Sequence, residues 1–120
     1  MTTEDRMSRA EIRERFLRDP LPKRLTDIAA NLAQIASLSD NPANEIVIVG
    51  LLVDCKHFIE WSAHDVSLDL RIELAELQLQ IVCWKRQLRD TLADLAQRAA
   101  MGEAANRWSE RLLERSGQIG

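Results

Sequence analysis

The side chains best equipped for chemistry in this chain are Asp54, His57, Glu60 and His64, which recur every three or four residues along one segment. On a helix that spacing gathers two imidazoles and two carboxylates on one face, and these are donor types that hold transition metals. Glu73 and Glu76, in the following segment, would reach toward the same face from a neighbouring helix. Two features weigh against a metal site. His57 and His64 lie two helical turns apart, about 10 Å, too far to share an ion without a third group between them. The chain also lacks any Glu-x-x-His pair, the unit from which helical bundles build di-iron sites. A solvated polar face opposite Cys55, Phe58 and Ile59 accounts for the same residues, and a metal- or small-ligand-binding bundle on that face stands as the alternative.

Other chemistry has less to work with. Cys55 and Cys83 form no Cys-x-x-Cys pair. In a hairpin turning near Asp65 and Val66, Cys55 lies level with residue 77, so Cys83 is offset by roughly 9 Å along the axis, too far for a disulfide. Both thiols are expected to be buried and reduced. There is no Gly-x-Ser-x-Gly, and four scattered glycines cannot make a phosphate loop. The expectation is a non-catalytic protein without a cofactor or a small-molecule ligand.

Charge is distributed unevenly. Residues 1–24 carry seven basic and five acidic side chains, residues 25–84 two and nine, and residues 85–120 seven and five. An acidic middle does not suit a phosphate backbone. The arginine-rich start is interrupted by carboxylates, with Glu11 and Arg15, and Glu14 and Arg18, at ion-pairing separation on a helix. Nucleic acid is therefore not an expected partner. The longest apolar run, Ile46 to Val53, is far shorter than the roughly 20 residues that cross a bilayer. Residues 1–10 show no apolar signal core, which makes the cytoplasm the default location.

The elements that position these residues are helical. Leu, Ala and Ile dominate the apolar residues, Tyr is absent, and 120 residues suffice for one domain with a real core. The first seven residues read as a loose tail. Ser8-Arg9-Ala10-Glu11 resembles a capping box and opens a short helix ending near Leu17. A second helix opens at Asp19-Pro20, with Asp19 as its cap, and repeats Leu21, Leu25, Ile28, Leu32 and Ile35. It stops at the turn signal Ser39-Asp40-Asn41-Pro42.

Residues 45–53 have the β-branched density of a buried strand, yet the chain offers no second strand to pair with. Ala43 to His64 therefore reads as a helix, with Gly50 placed to allow close helix contact. From Val66 to Met101 there is no Pro or Gly, and Leu70, Leu74, Leu77, Ile81, Trp84 and Leu88 fall on one stripe. Ser67 caps this long helix and Gly102 is well placed to end it. A last helix spans Glu103 to Arg115. The fold class is an all-α, antiparallel up-down bundle of four to five helices with one long helix near 67–101.

Such a helix outreaches its partner. Residues 90–101 would project about 18 Å past the turn at 39–42, leaving Leu92, Leu95, Ala96 and Ala99 bare. That overhang predicts a homodimer or a small adaptor, with Leu88, Leu92, Leu95, Ala99, Trp108 and Leu112 at the interface. Trp108 serves equally well as a core anchor, the role expected of Trp61 and Trp84. The competing arrangement is a monomer in which the helix breaks near Arg89-Asp90-Thr91 and its C-terminal part folds back.

Overall fold

The computed structural model describes residues 8–119; the tail expected at residues 1–7 lies outside them. Among the described residues the chain forms five α-helices and no strand: α1 (Arg9–Arg18), α2 (Leu21–Leu38), α3 (Glu45–Ser62), α4 (Leu68–Ala93) and α5 (Leu95–Ile119). Helices α2 to α5 run alternately up and down and close a ring in which α2 packs on α3 and α5, and α4 packs on α3 and α5. Their facing stripes make a single core of mainly Leu and Ile side chains, with Ile48, Leu52 and Cys55 of α3 fully inside it. The segment with strand-like composition is thus the helix expected of it. α1 lies outside the ring against α3, stacking Phe16 on Phe58 at 4.4 Å between ring centroids.

The starts of α1 and α4 follow the sequence reading. Ser8 Oγ accepts the Glu11 amide at 3.1 Å, and Ser67 Oγ accepts the Leu70 amide at 3.3 Å. α2 differs, because Pro20 rather than Asp19 occupies its cap and makes no side-chain bond.

The largest departure is at Asp94. The long helix is not continuous to Met101: Asp94 turns into extended backbone (φ −107°, ψ 122°), and α5 begins at the next residue. Asp94 Oδ1 accepts the Gln97 amide at 3.0 Å, and the Arg98 guanidinium donates to the Leu92 carbonyl at 3.0 Å. One side chain starts α5 while another satisfies the end of α4, so the corner needs neither Gly nor Pro. The break falls four residues beyond Asp90. α5 then runs through Gly102 without interruption and, being about as long as α4, folds back along it and covers Leu92, while Leu95, Ala96 and Ala99 at its own start stay exposed.

α5 meets α2 along a seam of small residues. Ser109 Oγ donates to Ala29 O at 2.8 Å, and Ser116 Oγ donates to Pro22 O at 3.0 Å. At the third level, a Cβ on Gly102 would lie 2.8 Å from Ser39 Oγ and 3.4 Å from Ala36 O. Pro22, Ala29 and Ala36 are spaced by seven residues, as are Ser116, Ser109 and Gly102. The two helices therefore run antiparallel in register at close range. Gly102 serves this approach instead of ending a helix.

Gly50, by contrast, has open space around its missing Cβ and an ordinary helical backbone, so it serves no close approach. Gly50→Ala should stabilise the protein by about 1 kcal/mol through backbone entropy alone, read as a raised Tm. Ala105→Leu, at a fully buried position of α5, should destabilise by about 1–3 kcal/mol through overpacking, read as a lower denaturation midpoint with unchanged slope.

Candidate functional site

The polar face of α3 does not converge on a ligand. Asp54 takes the Arg9 guanidinium of α1 at 3.2 Å. His57 stacks on Trp61 with 5.6 Å between centroids, and its Nδ1 lies 3.7 Å from Glu60 Oε2. His64 is exposed in the turn after α3. Glu73 faces the other way, toward α5, where Arg111 and Arg115 each approach it at 3.6 Å. Among the described residues, no group of three His, Cys, Asp or Glu side chains is placed to hold a metal ion.

The six residues expected at an interface between chains divide into three groups. Leu88, Leu92 and Leu112 are 2, 1 and 0 % exposed and belong to the chain's own core, because α5 folds back on α4 and brings its own Leu112 inside. Leu95 and Ala99 are exposed beside the α4–α5 corner and line a shallow groove with Ala36, Ser39 and Gly102. Trp108 is half-buried, with the Arg111 guanidinium 4.5 Å from its ring centroid. Trp84 is buried as expected of a core anchor, whereas Trp61 is half-buried in the cluster with Phe16, Phe58 and His57.

Sequence reasoning missed the surface that stands out most. On α4, Leu68, Ile72, Leu79 and Val82 are 69, 53, 70 and 42 % exposed, and exposed Ala75 falls between them. Their spacing of 4-3-4-3 makes a second stripe, centred roughly 160° around the helix from Leu70, Leu74, Leu77, Ile81, Trp84 and Leu88. α4 is thus apolar on two opposite faces, one covered by this chain and one not. The pattern was present in the sequence, two residues out of phase with the stripe that set the fold.

Charge frames the outer stripe. Arg71 and Lys85 run along the side nearer α3, where Arg71 Nε donates to Ala63 O at 3.0 Å and Gln78 Nε2 donates to Lys56 O at 3.2 Å. Asp69, Glu76 and Asp90 run along the side nearer α5, together with Cys83. No helix among the described residues is long and apolar enough to cross a membrane. The chain matches no family model, and no match was found among curated proteins or solved structures.

The two cysteines part company, correcting the expectation that both are buried. Cys83 is exposed at the edge of the outer stripe. Cys55 is buried, and burial pushes its thiol up to about 12, with the neighbouring Asp54 charge adding to the rise and a hydrogen bond with Asn31 opposing it. A thiol reagent should therefore modify one cysteine per native chain and two after unfolding. Because the folded state keeps the Cys55 proton that the unfolded state releases from about pH 9, this contribution to stability is complete below pH 9. It should be lost as pH rises toward 12, measurable as a falling denaturation midpoint.

Proposed function

We propose that this protein is a small, non-catalytic helical bundle that acts through protein–protein contacts made by the outer face of α4. The observation that carries this reading is the exposed stripe Leu68, Ile72, Ala75, Leu79 and Val82. Scattered exposed aliphatic residues are ordinary on protein surfaces, but five in helical register, bordered by charge, have the composition of an apolar interface with a polar rim. The stripe makes no contribution to the core, whose own stripe on α4 is complete from Leu70 to Leu92. Selection for folding alone gives no reason to keep these positions aliphatic.

The reading differs from the sequence expectation in where contact is made. An overhanging helix end would have placed it at Leu88, Leu92 and Leu95. With the chain folded back at Asp94, the uncovered apolar stripe lies along the first half of α4 instead.

A photoreactive amino acid placed at position 79, in the cells that make the protein, tests this. Discrete protein adducts are expected from positions 72 and 79 and none from exposed Ala33 on α2. Ile72→Glu with Leu79→Glu should abolish the contact while leaving Tm within the range of surface substitutions, about 0.5 kcal/mol each. Absence of adducts at both positions, or a loss of stability as large as a core substitution, would overturn the reading.

A further inference from the structure

We infer that the occupant of the outer α4 face is a second copy of this chain, with the two α4 helices side by side, parallel and in register; this rests on the function proposed above and adds partner and orientation to it. The argument is one of charge complementarity. With Ile72 and Leu79 at the a positions of a heptad, Leu68, Ala75 and Val82 fall at d. The g positions are then Arg71, Gln78 and Lys85, and the e positions are Asp69, Glu76, Cys83 and Asp90. One edge of the stripe is basic or neutral throughout, and the other is acidic or neutral throughout.

That separation favours one orientation. In a parallel pair each g position faces the e position five residues further along the other helix, so Arg71 meets the partner's Glu76 and Lys85 meets the partner's Asp90. The twofold axis repeats both contacts. An antiparallel pair sets g against g and e against e, which brings Arg71 to the partner's Lys85 and Glu76 to the partner's Glu76. Like charges then meet along both edges. Ion pairs of this kind add little affinity, but they select orientation, while the aliphatic seam supplies the attraction. A β-branched residue at a with Leu at d, as in Ile72 and Leu68, suits two strands, and Ala75 at the centre lets the backbones approach. Arg86, at the next a position, ends the seam.

The rest of the molecule supplies the area that one stripe lacks. A stable complex buries about 800 Å² on each partner. Ile46, at the start of α3, is 86 % exposed, and the Glu45–Arg89 contact at 3.5 Å sets it level with Leu88 of α4. On the opposite side of α4, at the same level, a groove of about 390 Å³ opens between α4 and α5, lined by Cys83, Gln87, Ala100 and Ala104 among others. A parallel pair sets the α3 edge of one protomer against the α5 edge of its partner without changing level. The most exposed aliphatic side chain among the described residues therefore faces an open groove lined partly by small side chains.

Purified full-length protein with Cys83→Ser tests orientation and partner together. Light scattering is expected to give twice the chain mass. Leu68→Cys and Val82→Cys, each alone, should be joined into covalent dimers by a short bismaleimide, because like positions meet only in a parallel pair. The two sites are about 21 Å apart along the helix, so in an antiparallel pair only a mixture of the two variants cross-links. Arg71→Glu should weaken the dimer roughly threefold to tenfold, and adding Glu76→Arg should restore it, as expected for exposed charge pairs. Cross-linking only in the mixture would overturn the orientation. A monomer at all concentrations would overturn the second copy, while photo-adducts of a different mass would leave the interaction reading standing.

Discussion

Everything in this fold depends on how closely α5 can approach α2. The two helices are the last and first of the ring, and the ring closes only because small side chains on both let hydroxyls of one reach backbone carbonyls of the other. Once α5 is held there, its apolar side, with Met101, Ala105 and Leu112, covers Leu88 and Leu92, and α4 has a neighbour on each flank. The corner at Asp94 is the local device that makes the return possible. It is built from one capping carboxylate and one guanidinium, with no residue in the left-handed region.

A second constraint fixes the opposite end of the bundle. Arg24 is nearly buried, and its guanidinium reaches Asp65 Oδ2 at 2.6 Å, Asp19 O at 2.9 Å and Leu17 O at 3.2 Å. The α1–α2 corner is thereby tied to the α3–α4 turn. A buried guanidinium is tolerated because its donors find partners in three directions, so the contact sets the geometry of that end more than it adds stability. The same end carries the Phe16, Phe58 and Trp61 cluster that holds α1 on α3.

Much of this architecture was legible in the residues. The helix identity of residues 45–62 followed from the lack of a second strand, and the hairpin register inferred from a turn near Asp65 differs by about two residues from the Glu45–Arg89 and Gln78–Lys56 contacts. The break at Asp94 was hidden because Asp94-Leu95-Ala96-Gln97, a capping pattern, sits inside a run that keeps helical periodicity on both sides. Gly102 invited the opposite error. Glycine marks a helix end or a close backbone approach, and only the position of α2 decides between them. The outer stripe of α4 escaped notice for a simpler reason: one stripe suffices to place a helix in a bundle, and periodicity does not say whether a second stripe is covered. The paired His and carboxylate residues of α3 attracted attention by type, but a helix face alone brings no second wall to a site.

The α2–α5 seam also bears on how fast this chain reaches its fold. Its hydrogen bonds join residues 80 and 94 positions apart, whereas most bundles draw their contacts from adjacent hairpins. Closing so long a loop adds little at equilibrium, because the entropy grows only with the logarithm of loop length. The burden falls on the rate. The α3–α4 hairpin has local contacts, while the seam waits for both ends of the chain to be made, and until then the apolar faces of α2 and α4 lack the helix that closes over them.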